Sequence, residues 1–283
     1  MISKNPYQNL DPYLEEFLQA IQEPQRTWNL FRMALQVARI DNSELQYENS
    51  LAQVNRIRKK IRKHLRSRSP YSIIEHTNKV MFQNLGYYGN KNNYYDPLNS
   101  LMDQVLVNRT GIPITLSILY REITEKLDLQ TWNVGMPGHF LLGFRSSGRN
   151  LYLDAFNEGR ILLPDDCRAM MINLFGGKLK FNMSFLSPLS NSSTLLRMLM
   201  NLKQIYQKRE EPVKLLRVLN RRIPLLSNPL TEILERAMTL ANLKKYRMAL
   251  KDFQCFIEST PGKSIRQAVE SRITRLKILI ETE

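Results

Sequence analysis

Apolar residues in the first hundred positions recur at steps of three and four. Leu18 and Ile21, then Leu30, Met33, Ala34 and Val37, predict short amphipathic helices. A longer stripe follows at Leu51, Val54, Ile57, Ile61 and Leu65. Ser69-Pro70 stops it, because the residue before a proline is pushed out of helical geometry. Another helical run, Ile73 to Leu85, ends at Gly86, a natural C-cap. The segment from Gly86 to Pro97, rich in Asn and Tyr, predicts a loop. Past Pro113, which suits a first helical turn, Leu116, Leu119, Tyr120, Ile123 and Leu127 lie at helical spacing. That helix is apolar on more than one side and should be buried. Trp132 to Phe144 and Leu151 to Phe156 read as strands, and Leu186 to Thr194 reads as a linker.

Beyond the linker the pattern is helical again and nearly repeats itself. Leu199 maps onto Ile233, Tyr206 onto Leu240, Leu215 onto Ala249, Leu219 onto Phe253 and Ile223 onto Ile257, a step of 34 residues. Thirty-four is the tetratricopeptide period. Ala237, Ala249, Phe253 and Pro261 fill the small, small, aromatic and proline positions that let paired helices pack. Two amphipathic helix pairs alternating by chance are the other reading. The recurrence of small residues where helices approach favours the repeat. Two repeats bury too little to stand alone, so the module is expected to lean on the domain before it.

The two strands carry the first candidate chemistry. Joined through Arg145-Ser146-Ser147-Gly148, an antiparallel hairpin sets Leu142 against Leu151 and Phe140 against Leu153. His139 then falls opposite Asp154. Phe140, Leu142, Leu151 and Leu153 share one apolar face, while His139, Leu141, Tyr152 and Asp154 share the other. The register that hides the apolar residues thus also pairs a histidine with a carboxylate. Such a pair can be catalytic, the aspartate orienting the imidazole. A structural His–Asp bond under a loop is the commoner use.

Composition narrows the setting. Hydrophobic residues make up 43% of the 283, enough for a real core. No apolar stretch has the length of a membrane span, and Met1 to Pro6 has no signal-peptide core, so a cytoplasmic protein without membrane insertion is expected. Cys167 and Cys255 lie far apart and match neither a disulfide framework nor a metal site. No cofactor or metal is expected. The net charge of +15 is less uniform than it looks, because eight Lys or Arg residues fall between Arg56 and Arg68 with no acid among them. Arg58, Lys59, Arg62, Lys63 and Arg66 form a candidate anion-binding face for weak, sequence-independent contact with nucleic acid. The alternative is a solvated helix face. Tyr87, Tyr88, Tyr94 and Tyr95 could stack on bases or close a pocket, although such loops more often cap a core.

A resemblance then gathers these pieces. The run from Asn99-Ser100-Leu101-Met102-Asp103 through Asn108-Arg109-Thr110-Gly111-Ile112-Pro113-Ile114-Thr115 resembles the SirB-type transglutaminase-like proteins of bacteria. So do Met136-Pro137-Gly138-His139-Phe140-Leu141 and Leu153-Asp154-Ala155-Phe156-Asn157-Glu158-Gly159, and the likeness runs from about residue 40 to 262. It implies an α+β chain: a helical N-terminal segment over 1–40, a papain/transglutaminase-like core over 41–186 with a central helix on an antiparallel sheet, and all-α tetratricopeptide-like repeats over 194–283. It also implies that His139 and Asp154 hold the last two places of a Cys-His-Asp triad. The cysteine of active members opens the central helix, and here Pro113 falls at that place. Ala155 and Glu158 stand where proline and glycine are common. Thr115 and Ser117 turn away from position 113 by helical periodicity. Cys167, beside Asp165 and Asp166, is a poor thiolate, and Cys255 reads as repeat core. The expected function is a non-catalytic interaction or adaptor protein, with a protein partner bound through the repeats. An amide-bond hydrolase or acyltransferase that uses His139–Asp154 with an unconventional nucleophile is the alternative.

Overall fold

In chain order the helices and strands are α1 (Leu14–Gln22), α2 (Leu30–Ala38), α3 (Tyr47–His64), α4 (Pro70–Asn78), β1 (Tyr88–Gly89), α5 (Met102–Asn108), β2 (Thr110–Gly111) and α6 (Pro113–Glu125). Then come β3 (Thr131–Val134), β4 (Leu141–Ser146), β5 (Arg149–Asp154), β6 (Arg160–Leu162), α7 (Pro164–Phe175) and β7 (Pro188–Leu189). The last stretch is α8 (Asn191–Lys208), α9 (Pro212–Arg222), α10 (Leu230–Asn242), α11 (Tyr246–Ser259) and α12 (Lys263–Glu281). This is a computed structural model, and it describes residues 7–259 and 262–282. Met1 to Pro6 and Pro261 lie outside the described residues. The class is α+β, with a transglutaminase-like core and a helical repeat region.

Prolines set several boundaries. Pro70, Pro113, Pro164 and Pro212 each open a helix, where the missing N–H costs nothing and the fixed φ helps. Five strands form one antiparallel sheet in the order β6-β5-β4-β3-β7, and β1 pairs in parallel with β2. Helix α6 touches β3 and β4 of that sheet and is also covered by α2, α3, α4 and α5. Thus Val54, Ile57 and Ile61 of the α3 stripe are buried, as the periodicity requires. On the 141/152 face of the sheet, Leu141, Tyr152 and Leu162 pack with Val134, Met136, Cys167 and Leu186.

Two expectations change. The strand-like run from Trp132 to Phe144 is two strands, because Gly138 turns the chain at φ +72° between β3 and β4. Trp132 lies opposite Gly143, and a Cβ at Gly143 would sit 2.2 Å from its indole. The Leu186–Thr194 run is not a free linker. Pro188 and Leu189 pair with Val134 and Asn133 as the sheet's edge strand, where a proline is tolerated.

The chain divides into two compact units, Glu23–Met198 and a second made of Met1–Gln22 with Leu199–Glu283. In the second unit Ala237, Ala249 and Phe253 are buried with Leu216, Ile233 and Leu240, as repeat packing demands. Cys255 is exposed, a correction that follows from Phe253 and Phe256 having taken the inward face of α11. Part of the cover that two repeats need comes from the N-terminal residues. Tyr7 and Leu10 pack on the repeat core, and α1 contacts α9. Asp11, 1% exposed, accepts from Arg221 at 2.8 and 3.0 Å and from Asn220 at 3.3 Å.

Removing one partner of a buried ion pair strands the other charge. Asp11→Ala is therefore expected to destabilise the repeat unit by about 3–5 kcal/mol in urea unfolding, and Arg221→Met in the same chain to recover much of the loss. An unchanged midpoint for Asp11→Ala would show that the buried ion pair contributes nothing to the repeats.

Candidate functional site

The hairpin that carries the candidate dyad is tighter than expected. Ser147 and Gly148 both have positive φ, 49° and 76°, and make a two-residue turn. Leu142 therefore pairs with Leu153 and Phe144 with Leu151, a register two residues away from the expected one. A slip of two preserves which side chains share a face. His139 is consequently diagonal to Asp154 rather than opposite it. Nε2 of His139 still lies 3.0 Å from Oδ1 of Asp154. The separation is that of a hydrogen bond, although the ring N–H points off the line to the oxygen.

Asp154 has a second task. Its Oδ1 accepts from the backbone N–H groups of Phe156 at 3.1 Å and Asn157 at 3.2 Å, capping the 3-10 turn Ala155–Asn157. Its Oδ2 accepts from the Asn157 side chain at 2.7 Å. Full burial pushes its pKa up, but His139 and the bonds from Asn157 outweigh that and hold the carboxyl below its ordinary value. The next residues complete a clamp. Asn78 donates to the Gly159 carbonyl at 3.1 Å and accepts from Tyr120 at 2.8 Å, tying this turn to α4 and α6. Glu158, where glycine is common in the resembled family, takes a left-handed φ of 59°, the reason a glycine suits that place.

Apart from Tyr94 of the tyrosine loop, the remaining contributors were invisible as site residues in the sequence. Arg197 on α8 donates to the carbonyls of Met136 at 3.1 Å and His139 at 3.0 Å, fixing the turn that presents the imidazole. Phe156 stands edge-on to His139 with ring centres 6.0 Å apart, and Tyr94 edge-on to Phe156 at 6.2 Å. Asn99 donates to the Asn93 carbonyl at 2.7 Å and so anchors the tyrosine loop. The signal for Asn157 was present: an Asp followed three residues later by Asn is a capping pattern.

Pro113 lies in the first turn of α6. A chain of contacts leads there from the dyad: Phe156 beside His139, then Gly89, whose added Cβ would fall 2.4 Å from the Phe156 ring, then Gly111 paired with Gly89. The nearby hydroxyl of Thr115 donates to the Asn99 carbonyl at 2.7 Å and accepts from the N–H of Ile112 at 3.1 Å, so it serves as a helix cap. Cys167 is buried, and its thiol is pushed up to about 12 by burial first, then by Asp166 and Asp154. Among the described residues no group of His, Cys, Asp and Glu is arranged to hold a metal ion.

The basic face needs one correction. Lys59, Arg62, Lys63 and Arg66 are exposed, but Arg58 is not part of the outward set. Its guanidinium bonds both the carboxylate and the backbone carbonyl of Glu122, because a buried glutamate on α6 demands a cation. Arg62 also reaches the Lys126 carbonyl at 3.1 Å. In the loop, Tyr87 is buried and Tyr95 is 69% exposed.

Comparison with known proteins agrees with this architecture. The model of the transglutaminase-like superfamily matches residues 48–200, and a tetratricopeptide repeat model matches residues 202–274. A UPF0162 protein of Xylella fastidiosa (strain Temecula1) is 30% identical over 188 residues, covering 65% of this chain and 67% of that one. A UPF0162 protein of Vibrio cholerae is 28% identical over 199 residues, or 70% and 73% of the two chains. Human F-box only protein 21 is 35% identical over 107 residues, 35% of this chain and 17% of that protein. No solved structure matches significantly.

Because the Asp154 carboxyl is held low, the stability it contributes is complete above its unfolded value of about 3.9 and is lost as pH falls through the folded one. Asp154→Asn should lower stability at pH 7 by about 1–3 kcal/mol, since an amide cannot accept from Asn157 and His139 alike. The gap between wild type and variant should close as urea midpoints are measured below pH 4. A gap of constant size across that range would mean the carboxylate charge is not what stabilises the turn.

Proposed function

Since the chain belongs to the transglutaminase-like superfamily, we propose that it is a non-catalytic member, an interaction protein that keeps the fold and the His139–Asp154 pair without the nucleophile. The observation that carries this reading is Pro113 in the first turn of the central helix, at the place where active relatives of the resembled family hold cysteine. Proline supplies neither a thiol nor an N–H for a developing oxyanion. Loss of a triad nucleophile costs on the order of a million-fold in rate. Neither cysteine substitutes: Cys167 is buried with a raised pKa, and Cys255 lies on a repeat helix.

The tetratricopeptide helices support protein binding as the working activity, in a cytoplasmic setting. Among the described residues no helix is long and apolar enough to cross a membrane. Lys59, Arg62, Lys63 and Arg66 add weak, salt-sensitive and sequence-independent contact with nucleic acid. One observation favours the enzymatic alternative, an amide-bond hydrolase or acyltransferase: the 3.0 Å contact through Nε2 leaves Nδ1 of His139 to face a reacting group.

Two measurements separate the readings. Wild-type protein given a glutamine-donor peptide and an amine acceptor should show no turnover. Turnover abolished by alkylation of Cys167 would overturn the proposal. Pro113→Cys tests the assignment of the position itself. Its new thiol should react with iodoacetamide at pH 6 at least about 10-fold faster than Cys255, because a neighbouring imidazolium lowers a thiol pKa. Equal rates would show that His139 does not face position 113.

A further inference from the structure

The end of α3 and the end of α4 enclose a cleft of about 570 Å³ lined by Lys63, His64, Leu65, Arg66, His76, Lys79, Val80 and Asn84. Three obligate cations and two imidazoles converge there, and no carboxylate lines it. Elsewhere on this surface the fold supplies counter-charges: Arg58 bonds Glu122, Arg121 bonds Glu125 at 2.9 Å, and Arg68 bonds Asp128 at 2.7 Å. Among the described residues no ion pair joins Lys63, Arg66 or Lys79 to an acid. Lys63 and His64 complement the negative end of α3, as cations in a last turn commonly do. That does not explain His76 and Lys79, which come from a different helix and its π-helical extension. The ring of His76 is held by its Nδ1, 2.8 Å from the Ser72 carbonyl, which leaves Nε2 for the cleft. Glu75, the nearest acid in sequence, is not among the lining residues.

Like charges gathered in a concavity repel one another and focus the field that attracts an anion. The volume exceeds what a single orthophosphate fills and lies within the range of small-molecule sites. Three fixed cations call for an anion of comparable charge, with Arg66 offering a planar fork and the lysines mobile point charges. A neighbouring cleft of about 230 Å³, lined by Arg62, Arg66, Arg68, Lys126 and Asp128, has a similar excess of cations, but it is less than half the size and Asp128 already pairs with Arg68 there.

We propose that the cleft between Lys63–Arg66 and His76–Lys79 binds a condensed phosphate, either free or as the tail of a nucleotide. The site shares Lys63 and Arg66 with the basic face of α3, adds His76 and Lys79 from beyond it, and is independent of whether the His139–Asp154 pair is active. The test is calorimetric titration of the full chain with inorganic tripolyphosphate at low salt. One site per chain is expected. Lys63→Gln with Lys79→Gln should weaken it on the order of 100-fold, since each removes a charged contact. Lys59→Gln with Lys60→Gln removes the same charge from the outward side of α3 and should weaken it less than about 3-fold. Arg66→Gln alone serves as a second probe if the first pair unfolds. Titration with adenosine triphosphate identifies the source: tighter binding than tripolyphosphate marks a nucleotide, and equal binding marks the phosphate chain alone. Equal weakening by the two lysine pairs, several weak sites, or no heat of binding would each overturn the site.

Discussion

Helix α6 has almost no surface left for water. Of its 13 residues only Arg121 and Glu125 escape burial. Every other side must be covered by something apolar or matched by a partner, and the core is arranged around that demand. The sheet takes one flank through β3 and β4, while α2, α3, α4 and α5 take the rest. The demand is sharpest at Glu122, a carboxylate 7% exposed. Arg58 and Asn29 answer it, the latter at 3.0 Å. A charge buried on one helix thus recruits a cation from another, and α3 is pinned by its polar side as well as its apolar stripe.

The same constraint decides what the sequence could show. Helical periodicity was legible wherever one face is apolar, as at Val54, Ile57 and Ile61, because burial there is local to a single element. The fate of Arg58 was not, since its partner lies 64 residues away on a helix whose own burial creates the need. Asp11 and Arg221 are a more extreme case at a separation of 210. Neighbouring letters carry no trace of such a pair. The hairpin falls between these limits. Strand alternation identifies the two faces, but the turn fixes the register, and Ser147 in a left-handed conformation is not an obvious turn residue. A reading wrong by two residues therefore still put His139 and Asp154 on one face.

The basic surface divides in a similar way. Lys59 and Lys60 look outward into solvent, whereas Lys63 and Arg66 share a concavity with side chains of α4. Charge counting along the chain treats these as one cluster. Only the packing of α3 against α4 distinguishes a solvated face from a place where a ligand could lodge.

One feature of the dyad bears on how such a protein changes over generations. The bonds that cap the turn after Asp154 and the contact that orients His139 share a single carboxylate. Selection for folding alone would keep that aspartate, with no reaction to protect. A retained His–Asp pair is therefore weak testimony for present chemistry, whereas the first position of α6 asks only for a residue that can open a buried helix, a duty that needs no thiol.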